Sequence, residues 1–247
     1  MPRFFVSPEH LRLEPSGSGE AHLAGDDARH AVRVLRLKVG DAVTLLDGAG
    51  REMKAVLRSE GLPEVRLEIT AVRHHDLPAR RLVLVQALAK GDKFDWIVQK
   101  ATELGVWAIQ PVATRHSVVK LDADGAAHKR QRWQAIAREA AEQCERLDVP
   151  NVWPPMSLAS WRKPAGAICL QLAERTQGHS LSDALVTLTD APSLCLCVGP
   201  EGGWAPEDLV GLAPNEPLPV SLGPYILRTE TAGLAALAVT QAHFGWA

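Results

Sequence analysis

The sequence predicts an α/β protein in two parts, a small β-barrel at the N-terminus followed by a region in which strands and helices alternate. Three observations carry this reading. Residues 1–75 hold short, partly alternating apolar runs separated by glycine and proline, the pattern of turn-bounded strands. From Leu82 onward, uncharged apolar runs alternate with helical stripes, as expected of parallel strands covered by helices on both faces. Two of the later runs end in glycine-bearing turns that open helices, which is how α/β proteins build ligand sites at the carboxyl ends of their strands.

The totals bound the rest. At 247 residues, with 46% hydrophobic and 23% charged side chains, the chain has room for one large domain or two small ones. No run of 18 apolar residues exists, so no membrane span is expected, and Met1–Val6 followed by Ser-Pro-Glu-His is too short and polar for a signal peptide. Cys144, Cys169, Cys195 and Cys197 lack disulfide or zinc spacing and read as reduced core residues of a cytoplasmic protein, with no metal site. The net charge is −2. Residues 76–146 carry 12 basic against 9 acidic side chains and residues 147–247 carry 4 against 9, so the middle is mildly basic, which is compatible with RNA without requiring it.

In the first part, strands are expected at Val43–Asp47, Met53–Arg58 and Val65–Val72, with turns at Gly48–Gly50 and Gly61–Pro63. Asp26–Arg36 reads as a short helix capped by Asp26 or Asp27. Arg29, Arg33 and Arg36 recur on it at helical spacing, and so share one face, either solvated or set against RNA. His74–Ala79 is the expected linker, which gives domains at residues 1–74 and 75–247.

The second part opens with a strand at Leu82–Leu88 and a turn through Lys90-Gly91-Asp92. Asp92 is the expected cap of a helix whose apolar stripe is Phe94, Ile97, Val98, Ala101 and Leu104, with Gly105 behind its C-terminus. A strand at Val106–Pro111 leads into an exposed polar connection holding Arg115, His116 and Lys120, then a loop from Leu121 to Gly125. His128–Leu147 reads as the longest helix, with Glu142 and Arg146 one turn apart. Asn151–Pro164 reads as connection and Ala167–Leu172 as a strand. The uncharged run Leu194–Val198 ends in Gly199-Pro200-Glu201-Gly202-Gly203, with Pro206 at a first helical position. Leu218–Leu222 ends in Gly223-Pro224, and an alanine-rich helix runs from Thr231 to His243.

What these turns hold is only partly defined by spacing. Neither G-x-x-x-x-G-K-[ST] nor G-x-G-x-x-G with a later acidic residue occurs, so the phosphate and dinucleotide motifs are missing. Glu201 would repel phosphate, which favours a ligand with a neutral or positive group there. The loop backbone can bond an adenine edge and ribose while Leu222, Ile226 and Leu227 sandwich the ring. No serine elbow or cysteine–histidine pair offers a nucleophile, so group transfer from a bound cofactor fits better than covalent catalysis.

Several blocks occurring in order go further. They are Phe4-Phe5-Val6, His30–Asp41, Lys90–Lys93, Gln99–Val106, Arg115–Lys120, Arg132-Trp133, Glu139–Gln143, Val198–Gly203, Leu222–Pro224 and Leu227–Ala232. In these the chain resembles the bacterial 16S ribosomal RNA uracil-N3 methyltransferases of the knotted (SPOUT) superfamily, over nearly its whole length. One departure is Tyr225, where that family's pattern has arginine.

The resemblance implies a PUA-like barrel that grips RNA and a SPOUT domain with a deep trefoil knot. It also implies a homodimer in which each site is completed by the partner, with 16S rRNA in the small ribosomal subunit as substrate. S-adenosylmethionine is expected against Leu172 and Ala173, against Val198, Gly199, Pro200, Glu201 and Gly202, and against Leu222, Gly223, Ile226, Leu227 and Thr229. The candidates for chemistry are Arg228, then Arg146, as the cation beside a developing uracil anion, and Glu230 or Glu142 as proton acceptor. Arg3, Arg29, Arg33, Arg36, Lys90, Lys93 and Arg115 are the expected RNA contacts.

Overall fold

The computed structural model describes residues 1–116, 123–174 and 179–245. It divides into two compact units, Met1–Leu77 with Ala141–Val149, and Pro78–Ala140 with Pro150–Ala247. Positions 117–120 of the polar connection and 121–122 of the loop after it fall outside the described residues, as do 175–176 after the strand ending at Leu172.

The first unit is a six-stranded sheet. Its strands are β1 (Arg3–Phe5), β2 (Leu11–Leu13), β3 (Gly19–Ala24), β4 (Ala42–Leu46), β5 (Arg51–Leu57) and β6 (Glu64–His74), in the order β1-β4-β5-β6-β3-β2. Only β1 and β4 pair in parallel. Along β6 the burial alternates residue by residue from Glu64 to Ile69, the signature of one face on a core and one in water. The inward residues, with Phe4, Leu23, Leu45 and Met53, form that core.

Where one helix was expected over Asp26–Arg36, a short α1 (Gly25–Arg29) passes into a π-helical turn, His30–Val34. Ala24 occupies the N-cap position with no side-chain cap bond, and Asp26 and Asp27 fall in the first turn instead. Arg36 then takes a left-handed backbone, φ 55°. The end of the longest helix and the residues after it also belong to this unit, with Ala141, Leu147 and Val149 around Phe5 and Leu46.

The turn between β4 and β5 is built around Asp47, whose side chain is 4% exposed. It accepts from the Ala49 and Arg51 amides at 2.8 and 2.9 Å and from Arg51 Nε at 2.5 Å. Burial pushes the carboxyl up, but these bonds outweigh it, so its pKa lies below the ordinary value. A lowered folded pKa contributes stability that is present above the unfolded value and is lost as pH falls through the folded one. Asp47→Asn is therefore expected to lower Tm at neutral pH, with the gap to wild type closing below about pH 4. A gap independent of pH would contradict this.

The second unit is a seven-stranded, all-parallel sheet. Its strands are β7 (Arg81–Ala87), β8 (Ala108–Ala113), β9 (Asn151–Val152), β10 (Met156–Ser157), β11 (Ile168–Leu172), β12 (Ser193–Val198) and β13 (Leu218–Val220). Their order is β10-β8-β7-β12-β11-β13, with β9 also on β8. Every residue of β12 is buried, which is why its run carries no charge. Cys169, Cys195 and Cys197 are fully buried in this sheet. Burial pushes the Cys195 thiol up to about 12 and raises Cys197 as well, so neither ionises near neutrality.

The helices are α2 (Lys93–Glu103), α3 (Ala123–Gln143), α4 (Leu181–Thr187), α5 (Pro206–Leu212) and α6 (Thr229–Phe244). Asp92 stands at the N-cap of α2 without a side-chain cap bond. Asp95 ties α2 to α3 instead, accepting from Trp133 Nε1 and Arg132 Nε, both at 2.9 Å. Gly105 follows α2 with φ 77°, the left-handed stop expected of it. α3 starts earlier than its sequence pattern suggested. α4, capped by a reciprocal Ser180–Asp183 pair, lies where no helix was expected.

Candidate functional site

Three loops meet at the carboxyl ends of β11, β12 and β13. Between them lies a cavity of about 740 Å³, within the range of small-molecule sites. All twelve residues expected against the cofactor, from Leu172 to Thr229, line it. The lining also includes Glu174, Gly203 and Tyr225, within the same loops, and Trp204, Val220 and Ala232, which were not anticipated as site residues.

The loops are tied to one another by three side chains. Trp204, just beyond the β12 loop, donates from Nε1 to the Leu172 carbonyl at 2.8 Å. Its indole lies flat against Gly199, where a Cβ would sit 3.0 Å from the ring. Thr229, at the start of α6 and buried, donates to the Gly199 carbonyl at 2.5 Å. Gln86 in β7 donates in turn to the Thr229 hydroxyl at 2.9 Å. A side chain at 199 would crowd the indole packed on it, and Gly223 has φ 130°, a conformation in which a side chain is strained.

The charged lining is Lys93 and Arg228 against Glu174 and Glu201, with Glu230 behind it, bonded to Lys93. Lys93 Nζ lies 3.3 Å from both Glu201 Oε1 and Glu230 Oε1. The bond to Glu201, opposed by desolvation and reinforced by Glu230, raises the Lys93 pKa and keeps the ammonium charged. Glu230 is only 14% exposed and sits in the first turn of α6, where the helix dipole favours an anion. Arg228 is exposed at the N-cap of α6, and its guanidinium has no partner among the described residues. The cavity therefore holds one cation that is paired twice and one that is free.

The remaining site candidates lie elsewhere. Glu142 and Arg146 belong to the first unit, where Glu142 Oε1 accepts from the Phe5 amide at 3.2 Å. Arg146 forks onto Asp148 at 2.8 and 3.0 Å. Arg3 is 16% exposed and bonds Glu145 at 3.1 Å, with Glu52 3.8 Å away. Arg33 and Arg36 are exposed, and Arg29 is exposed and paired with Asp26. Lys90 and Arg115 are exposed in the second unit, with the Arg115 amide bonded to Asp208 at 2.8 Å. Lys93 faces the cavity. Among the described residues there is no cluster suited to a metal ion and no helix able to cross a membrane.

Comparison with known proteins fits this arrangement. The family model for an RNA methyltransferase domain matches residues 75–241, and that for an RNA methyltransferase PUA domain matches residues 23–70. The chain is 34% identical to ribosomal RNA small subunit methyltransferase E of Bacillus subtilis, over 96% of this chain and 94% of that one. The chain belongs to the ribosomal RNA small subunit methyltransferase E family. The family member from Synechocystis is 37% identical over 95% of this chain and 77% of its own. The solved structure of the Neisseria gonorrhoeae member, bound to S-adenosylmethionine, superposes with a TM-score of 0.85 at 33% identity, covering 98% of this chain and 97% of that one. As a member of this family, the chain has the mixed α/β architecture, PUA domain and parallel sheet of SPOUT-type methyltransferases.

Proposed function

We propose that this chain transfers a methyl group from S-adenosylmethionine to N3 of a specific uridine in the 16S rRNA of the small ribosomal subunit. The observation that carries the reading is the cavity at three strand ends, with Arg228 unpaired in its wall and Glu230 beside it. The cavity suits this cofactor. Apolar Leu172, Val198, Leu222 and Ile226 can enclose a purine, and the carboxylates Glu174 and Glu201 in the lining offer a counter-charge to a ligand bearing positive charge and no phosphate. Bound there, S-adenosylmethionine supplies an electrophilic methyl group on a positively charged sulfur.

The side chains supply position and charge. Uracil N3 carries a proton on the Watson–Crick edge, so the target base has to be unpaired and that proton removed. Arg228 stabilises the negative charge that spreads onto the uracil carbonyls as the proton leaves. Glu230, held by Lys93, accepts the proton directly or through water. Arg228 lines the cavity and Glu230 is bonded to the lining residue Lys93, and for that reason they are preferred to Arg146 and Glu142.

In the same reading the first unit grips RNA through Arg29, Arg33 and Arg36, while Lys90 and Arg115 meet it from the second. The three loops belong to a deep trefoil knot, the enzyme is a cytoplasmic homodimer, and each cavity is completed by the partner. Isothermal titration with S-adenosylmethionine is the direct test. Saturable binding is expected. No binding, with or without RNA, would leave a non-enzymatic RNA-binding assembly factor. Trp204→Phe keeps the ring but loses the bond to Leu172, a contribution of about 0.5–1.5 kcal/mol. Cofactor affinity is expected to fall about 2- to 10-fold in that variant, and unchanged affinity would remove Trp204 from the loop clasp.

A further inference from the structure

Gln86 is the least expected polar group in the second unit. It lies in β7 within the run Leu82–Leu88 and is 0% exposed. Nothing about that run asks for an amide, and an apolar residue would fill the place without a hydrogen-bonding requirement. Its Nε2 donates to Thr229 Oγ1 at 2.9 Å, while its Oε1 has no partner among the described residues. Gly233, one turn along α6, makes room for it: a Cβ there would stand 2.9 Å from Oε1. The fold thus accommodates a buried and half-satisfied amide whose strongest bond is to a residue of the cavity wall.

The direction of the bonds gives this a purpose. The Thr229 hydroxyl has one proton to give. With the Gln86 amide donating to its oxygen, that proton goes to the Gly199 carbonyl, 2.5 Å away. Gly199 follows Val198, which is the ladder partner of Gln86. The relay therefore starts on β7, passes through the first residue of α6, and ends on the first residue of the β12 loop. It joins the second and third loops of the cavity from beneath.

We propose that Gln86 is a positioning residue for the cofactor site, orienting the Thr229 hydroxyl so that it holds the Gly199 carbonyl and with it the β12 loop. The inference rests on the reading of the cavity as an S-adenosylmethionine site. Gln86→Met keeps length and volume without the donor, Thr229→Val keeps shape without the hydroxyl, and Thr229→Ser keeps the hydroxyl. Gln86→Glu replaces the donor with an acceptor that draws the hydroxyl proton away from Gly199.

The test is a double-mutant cycle on S-adenosylmethionine affinity by titration, with KM for the RNA measured in parallel. Gln86→Met and Thr229→Val are each expected to weaken cofactor binding about 10-fold, and the double variant no more than either alone, because one relay is cut in two places. Gln86→Glu should lose at least as much as Gln86→Met, Thr229→Ser less than Thr229→Val, and KM for the RNA should stay put in all four. Additive losses, or a drop in Tm with cofactor affinity intact, would reduce Gln86 to a packing residue and overturn the proposal. Should Gln86→Met not fold, the Thr229 pair decides: equal affinity in Ser and Val overturns it. Failure of the wild type to bind S-adenosylmethionine is a separate result and would refute the reading of the cavity itself.

Discussion

Arg228→Ala is expected to lower turnover by about 10²- to 10³-fold, the usual loss when one preorganised group facing a developing oxyanion is removed, while S-adenosylmethionine affinity changes little. The expectation comes from the difference between the two cations of the cavity. Lys93 is already shared between Glu201 and Glu230, so its charge is largely spent on the protein. Arg228 has no such partner among the described residues and stands at the N-cap of α6. There a guanidinium can reach a carbonyl flanking uracil N3 without first giving up another bond. Arg228→Lys is expected to recover part of the loss, since it restores charge without the planar fork. Single-turnover methyl transfer with cofactor and RNA both saturating separates the chemical step from binding. A full rate in Arg228→Ala would take this residue out of the mechanism and leave the cavity without its free cation.

Gly199→Val should act in the opposite way, on the cofactor before the chemistry. Even a Cβ at this position would stand 3.0–3.2 Å from three atoms of the Trp204 indole. A valine there has to push the ring back, against its 2.8 Å bond to the Leu172 carbonyl. Overpacking of this kind costs about 1–3 kcal/mol, and here it falls on two of the three loops that shape the cavity. Affinity for S-adenosylmethionine is expected to drop about 100-fold, or about 2.8 kcal/mol, with KM for the RNA much less affected. Affinity within threefold of wild type would show that the β12 loop does not bear on the cofactor.

The parallel sheet was legible in the sequence because strands buried on both faces carry continuous apolar runs. Leu194–Val198 and Ala167–Leu172 could be read in that way, and the structure places β12 and β11 there. The glycine-bearing ends of β12 and β13 were legible for a related reason. Three glycines in five residues, or a glycine and a proline straight after a strand, leave the chain few alternatives to a turn. The short elements were not legible. β9 and β10 are two residues each, too short for any period, and α4 has only seven. The π-helical turn at His30–Val34 has the same apolar spacing over one turn that an α-helix would have.

The site shows the same division. Most residues borne by the loops themselves could be named from the blocks that carry the family resemblance. Those that act from a distance could not. The partner of Gln86 lies 143 residues away, and its strand reads as core. Trp204 reaches back 32 residues to a backbone carbonyl, and a backbone acceptor leaves no mark in the sequence. Lys93 was expected as an RNA contact, and only the fold brings Glu201 and Glu230 to it.

The central claim is a transfer of methyl to one atom of one base. The measurement that tests it most directly is incubation of the purified protein with isotopically labelled S-adenosylmethionine and small ribosomal subunits lacking the modification, followed by nucleoside analysis of the 16S rRNA. The account predicts label in N3-methyluridine at a single position, and only traces from Arg228→Ala. Label on a ribose or on another base would contradict the assigned chemistry, and no label at all from a protein that binds the cofactor would contradict the assigned substrate.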